Sequence, residues 1–370
     1  MIQRIAQRTI QNELSKGKAI VVMGARQVGK STLLEYMVKG EDCLVFNCDN
    51  YDDRSDLENK TTTELRNLVG SHKFVVIDEA QKVNGIGLTL KMLVDLKLPM
   101  QILATGSSSL SLAEGINEPA TGRLIEQHLF PLSLSEMAAD TSQREERRLL
   151  EHRMIYGLYP EVVTHPEDAR RILMNIANNY LYRDLLGYKG VKKPDVLQKL
   201  VRALALQVGS EVSYHELSNI IGVDRATVEN YIDLLEKCFV IFRLPSFSRN
   251  LRSEIKKGKK IYFYDNGIRN ALINNFSSLD MRNDAGALWE NLMVSERVKR
   301  NAYKQNYAQL FFWRSQQQQE IDLVEEVDGR LSAYEFKWGK AKARVPKPFA
   351  EAYQITELEV ITPENYWDFV

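Results

Sequence analysis

Residues 19–31 read AIVVMGARQVGKS, and this stretch decides the fold. AIVVMG (19–24) is a short apolar run ending in glycine, as expected for a strand buried on both faces. Gly24-Ala25-Arg26-Gln27-Val28-Gly29-Lys30-Ser31 then fits the spacing GxxxxGK[ST]. A helical pattern follows from Ser31 to about Lys39. Glycines let main-chain amides curl around phosphate oxygens, and the helix start adds partial positive charge. The spacing therefore predicts a nucleotide site over Gly24, Ala25, Arg26, Gln27, Val28, Gly29, Lys30, Ser31 and Thr32. Lys30 would bridge the β and γ phosphates of ATP, and the Ser31 hydroxyl would ligate Mg²⁺.

Outward from this loop, β-rich runs alternate with helical stretches. CLVFNCD (43–49), FVVID (74–78), QILATG (101–106) and IEQHLFPL (125–132) are the further expected strands. Such alternation predicts a parallel sheet covered on both faces. The third strand ends in Asp78-Glu79. Asp78 can sit beside Ser31 and hold Mg²⁺ through water, and Glu79 can polarise the attacking water as a catalytic base. Two adjacent acids alone would read as solvated surface; a phosphate loop upstream changes their meaning. Ser107, after the fourth strand, is placed to sense the γ phosphate. Arg123 is a candidate arginine finger, in cis or supplied by a neighbouring copy, and the second case requires a homo-oligomer.

The chain has 370 residues with equal numbers of basic and acidic side chains, 49 each, which excludes a uniformly basic nucleic-acid coat. No apolar stretch approaches the ~20 residues that span a bilayer. The first residues carry no signal-peptide pattern. The cysteines Cys43, Cys48 and Cys238 lack metal spacing and fit reduced thiols. A soluble, cytoplasmic protein without membrane partners is expected.

From Ser135 to about Gly190 the pattern is helical only. Helices joined by a short turn at Gly222-Val223, with the β-rich pieces FVIFRLPSF and KKIYFYD behind them, suggest a winged helix over 194–266. Its second helix begins at Asp224 and carries Glu229, Asp233 and Glu236, which disfavours a groove reader. The segment 267–370 reads as an αβββαβ unit. Basic residues cluster at Arg249, Arg252, Lys256, Lys257, Lys259 and Lys260, and again at Lys337, Lys340, Lys342, Arg344 and Lys347. Charge runs are more often solvated faces than DNA contacts.

In this last unit, Glu320-Ile321-Asp322 and Glu335-Phe336-Lys337 lie on consecutive expected strands. The turn Asp328-Gly329 should pair Val327 with Arg330. Asp322 then falls opposite Glu335, Glu320 opposite Lys337, and Ile321 opposite Phe336. One face would be apolar and the other would gather the charges. Opposed carboxylates repel unless a cation such as Mg²⁺ sits between them. The alternative is a solvated face with a Glu320–Lys337 ion pair.

The order of P-loop, DEAQ (78–81), TGSSS (105–109) and TGRL (121–124), with YLYRDLL (180–186), KIYFYDNG (260–267) and GALWENL (286–292), resembles a bacterial and archaeal group of AAA+ ATPases fused to a C-terminal domain of unknown function. The C-terminal acids resemble the PD-(D/E)xK pattern of restriction-endonuclease-like folds, without its proline. The resemblance implies an AAA+ P-loop domain (1–134), a helical lid (135–193), a winged helix (194–266) and a nuclease-like domain (267–370). It further implies that Asp322, Glu335 and Glu290 hold Mg²⁺ and that Lys337 activates water against DNA. Two rivals keep the ATPase: in one the terminal domain binds DNA or protein without cutting, and in the other the winged helix and tail serve only as protein-interaction surfaces.

Overall fold

A computed structural model describes residues 2–107, 122–181, 193–248, 258–339 and 342–370. Ser108, Ser109, Thr121, residues 182–186, Arg249, Arg252, Lys256, Lys257 and Lys340 lie outside the described residues. The chain divides into two compact units, Met1–Phe130 with Lys237–Phe239, and Pro131–Glu236 with Val240–Val370. The segments expected as lid, winged helix and C-terminal domain share the second unit. Buried bonds tie them together: Leu134 N donates to Glu296 at 2.7 Å, and Leu158 N donates to Asp265 at 2.7 Å. Among the described residues no helix is long and apolar enough to cross a membrane.

The first unit holds five parallel strands, β1 (Ala19–Met23), β2 (Cys43–Asn47), β3 (Phe74–Asp78), β4 (Gln101–Gly106) and β5 (Leu124–His128), in the order β2-β3-β4-β1-β5. The apolar runs of β1 and β4 are buried along their whole length because both are interior strands. β5 stops at His128 rather than reaching residue 132. Leu129 N still donates to Met23 O at 2.7 Å, but Pro131 has no N–H to continue a ladder.

In the second unit, the helices Pro194–Leu206, Tyr214–Ile221 and Arg225–Lys237 accompany a small antiparallel sheet. Its strands are β6 (Glu211–Val212), β7 (Ile241–Pro245) and β8 (Lys259–Phe263), ordered β6-β8-β7. The larger sheet runs β12-β11-β10-β9, with β9 (Gln309–Arg314), β10 (Glu320–Val327), β11 (Arg330–Phe336) and β12 (Glu359–Ile361). The helix Ala285–Tyr303 precedes it, and Lys347–Tyr353 crosses between β11 and β12, which pair in parallel. Phe247 N donates to Phe312 O at 2.6 Å, which fastens the end of the small sheet to β9.

The β10–β11 hairpin has the expected register from Val327↔Arg330 to Leu323↔Tyr334. Beyond Leu323 it departs from expectation. Ile321 pairs with Trp313 while Val324 pairs with Phe311, so β10 spends one more residue than β9. This bulge turns Ile321 into the same core as Val324, Phe311, Trp313 and Phe349. Simple alternation would have put Ile321 with Leu323. Asp322 is not held opposite Glu335 by a regular ladder. Instead its Oδ2 accepts the Phe336 N–H at 2.8 Å.

Candidate nucleotide and metal sites

The first site begins where β1 ends. At Gly24 a Cβ would collide with the Leu129 carbonyl oxygen, so only glycine lets the loop pass. Gly29 has φ +92°, a left-handed conformation that opens the helix Lys30–Met37 directly behind the loop. The Lys30 ammonium is buried and donates to Gly24 O at 3.0 Å and Ala25 O at 2.8 Å. It therefore lies inside the curl of main chain that the motif predicts.

Ser31 Oγ donates to Asp78 at 2.8 and 3.0 Å, joining the loop to the end of β3. A hydroxyl and a carboxylate in contact are hard oxygen donors of the kind Mg²⁺ accepts. β4 lies between β1 and β3 and contributes Thr105, whose hydroxyl donates to Asp78 Oδ1 at 2.5 Å and accepts the Glu79 N–H at 2.9 Å. Glu79 has φ +53° and leaves the strand in a left-handed turn. Gln81 Nε2 donates to Glu79 Oε2 at 2.6 Å and to Ser107 Oγ at 2.9 Å. Ser107 is thus linked to the candidate base through one amide.

Arg123 does not join this group. It precedes β5 at the end of the sheet where β1 begins, its carbonyl accepting the Ala19 N–H at 3.0 Å. Parallel β1 places the phosphate loop at the other end, ~13 Å along the strand. Arg123 Nε instead meets Asp95 at 2.7 Å on the surface. In this arrangement Arg123 does not reach the phosphate loop of its own chain. One residue that sequence reading passed over does serve the loop. Arg4, 5% exposed, donates to Val28 O at 2.7 Å and to Phe130 O at 2.6 Å, strapping the loop to the chain beyond β5.

The second site lies in the second unit, at the bulged end of β10. Asp322 is buried, and its carboxyl is pushed well above the ordinary carboxylate range by burial first, then by Glu290 and Glu335. Lys337 Nζ donates to Glu335 Oε1 at 2.6 Å. Burial opposes the Lys337 charge, but Glu335, Asp322 and Glu290 outweigh it and raise its pKa. Glu335 Oε2 is buried with no hydrogen-bond partner. An orphaned carboxylate oxygen beside a second buried acid suits a divalent ion held by two carboxylates and water. Among the described residues no three His, Cys, Asp or Glu side chains form a ready-made metal cage.

Two charged groups differ from expectation. Glu320 does not pair with Lys337; it pairs with Lys260 and with Arg314 at 3.1 Å. Lys260, expected in a surface basic patch, is 2% exposed, and its Nζ meets Glu290 at 2.9 Å. Tyr262 OH donates to the same Glu290 oxygen at 2.6 Å. Glu290 thus reaches the cluster as expected, but with Oε1 already engaged twice. The only sequence signal for Lys260 is that it shares a face of β8 with Tyr262, two residues on. Asp224 is the expected cap, accepting from Thr227 N at 2.9 Å, and Arg243 ties up Asp233 and Glu236 behind it.

Comparison with known proteins agrees with the first site. Residues 16–138 match a family model described as an AAA domain. Residues 147–279 and 285–365 match two models described as domains of unknown function, DUF8612 and DUF4143. A Mycobacterium tuberculosis protein described as uncharacterized is 27% identical over 340 residues, covering 90% of this chain and 74% of that protein. A Haemophilus influenzae relative, likewise described, is 26% identical over 303 residues, covering 76% of this chain and 74% of its own length. The solved Walker-type ATPase of Pyrococcus abyssi aligns over 74% of this chain and 96% of its own, with TM-score 0.51 and 16% identity. Residues 16–138 thus resemble an AAA-type P-loop ATPase domain.

Proposed function

We propose that this ATPase governs a magnesium-dependent, nuclease-type site in its C-terminal αβββαβ unit. One observation carries the reading. Asp322 and Glu335 approach each other from β10 and β11, Lys337 is bonded to Glu335, and the preceding helix brings Glu290 within their field. The element order and the β12-β11-β10-β9 sheet support a restriction-endonuclease-like fold. Residues 194–266 would be a winged helix that relays motion rather than reads sequence, since Asp233 and Glu236 tie its second helix to Arg243 of β7 and leave that helix acidic.

At the ATPase site, the amides of Gly24–Thr32 and Lys30 would bind the triphosphate, Ser31 and Asp78 would hold Mg²⁺, Glu79 would orient the water, and Ser107 with Gln81 would sense the γ phosphate. At the C-terminal site, Asp322 and Glu335 would hold Mg²⁺, and Lys337, kept protonated against Glu335, would orient the attacking water. Bound magnesium would supply Lewis acidity to the scissile phosphate. A finger from Arg123 would need a second copy of the chain.

A second reading keeps the ATPase and makes the C-terminal domain a non-catalytic binder of DNA or protein. The Lys260 ammonium standing among the acids favours it. Cleavage of single- and double-stranded DNA with Mg²⁺ or Mn²⁺ separates the two. The nuclease reading expects cutting that Lys337→Ala abolishes while ATP turnover persists. Turnover measured with and without DNA, beside Lys30→Ala, tests the coupling. No cutting of any DNA or RNA under either metal selects the second reading.

A further inference from the structure

We propose that Lys260 is a resident cation of the C-terminal site, occupying by its ammonium the place of a second metal ion. The inference rests on the metal-site reading above and goes beyond it by fixing how many ions the site takes. Lys260 comes from β8 of the small sheet, outside the αβββαβ unit that supplies the acids. Its side chain is 2% exposed and meets Glu290 and Glu320 together. A buried ammonium is costly unless its partners surround it. Here they do, and the Phe312 ring lies 5.6 Å below it. Arg314 closes Glu320 from the other side at 3.1 Å and reaches Glu211 at 3.2 Å. Glu211 is the ladder partner of Lys260 itself.

The result divides the acids. Glu290 and Glu320 are committed to fixed cations of the protein. Among the described residues Asp322 has no lysine or arginine in hydrogen-bond contact, and Glu335 gives only Oε1 to Lys337 and keeps Oε2 buried without a partner. One divalent ion can use that pair. A second would need Glu290 and Glu320, and would meet the Lys260 charge at contact distance, where repulsion in a poorly solvated site is strong. Lys260 is a positioning residue in this scheme: it holds Glu290 and limits the site to one ion.

Binding of Mn²⁺ to full-length, nucleotide-free protein tests this, read by loss of the free-ion electron paramagnetic resonance signal. Ions belonging to this site are those lost in Asp322→Asn, so any at the phosphate loop cancel. Wild type should show one, and Lys260→Met should show two or bind the first at least about tenfold tighter. Lys260→Arg should restore the wild-type count. Lys260→Met should also melt lower without metal and recover with Mn²⁺, which a purely structural lysine would not do. Lys260→Gln, which keeps a donor for Glu290, serves if the methionine variant does not fold. Equal counts and affinities in wild type and the neutral variants overturn the inference. If the shared count is one, the metal site survives; if it is zero, the metal reading falls too.

Discussion

Thr105 Oγ1 lies 2.5 Å from Asp78 Oδ1, a hydroxyl from one strand fixing the acid of the next. The same oxygen accepts the Glu79 N–H at 2.9 Å, so one side chain sets the direction of both acids. Thr105→Val keeps the shape and removes both bonds. Steady-state turnover should fall about 100-fold, because misplacing catalytic groups by ~1 Å costs that much. ATP affinity should stay near wild type. An unchanged kcat would show that the acids orient themselves.

Arg4 makes a different kind of claim, since no motif marks it. Its buried guanidinium satisfies Val28 O and Phe130 O. Arg4→Ala removes both buried bonds and should cost about 3 kcal/mol in urea unfolding. The KM for ATP should rise as the loop loosens. Arg4→Lys, lacking the fork, should recover only part of either effect. Normal stability together with a normal KM would dismiss the strap.

Lys30→Met should weaken binding of a fluorescent ATP analogue at least about tenfold by removing a charge held against the phosphates. The variant also loses the buried hydrogen bonds to Gly24 O and Ala25 O, so it should be about 1–3 kcal/mol less stable, and affinities are compared where both proteins are folded. Equal analogue affinity in both proteins would mean that the nucleotide lies elsewhere.

Asp284 gives a pH signature. It precedes the helix that carries Glu290, with Arg269 Nη1 at 2.5 Å and Arg282 Nε at 2.8 Å. Burial alone would raise its pKa, but hydrogen bonds from Arg282 and Arg269 prevail and hold it down to about 2. A folded value below the unfolded ~3.9 stabilises the protein above that pH and ceases to do so as pH falls towards 2. Asp284→Asn should be about 3 kcal/mol less stable at neutral pH, with two arginines left uncompensated. The gap between wild type and variant should close from pH 4 to pH 2. A gap independent of pH in that window would contradict the assignment.

The phosphate loop and the strand ending in Asp78 were legible because their signals are local: an apolar run, two glycines at fixed spacing, an acid at a strand end. The hairpin register was legible for the same reason, since Asp328-Gly329 sets it. Asp322 was found but its setting was not. A bulge is decided by β9, a different strand, and stepping in twos cannot reveal one extra residue. Arg4 bonds to a residue 126 positions away, and Lys260 to one 30 positions away. Neither pairing is marked by composition, although Glu290 itself was. The cis alternative for Arg123 was not legible because a motif position says nothing about which end of a parallel sheet it occupies.

The inward fold of Lys30 has a bearing on ligand choice. With its ammonium satisfied by two carbonyls of its own loop, the cradle is latched from within. Opening it requires a guest whose negative charge outcompetes neutral main-chain oxygens. A nucleoside offers nothing to lift the latch, a monophosphate offers little, and a triphosphate tail offers several oxygens at once. On the proposed nucleotide reading, this latch would discriminate by phosphate number before any base or sugar is touched.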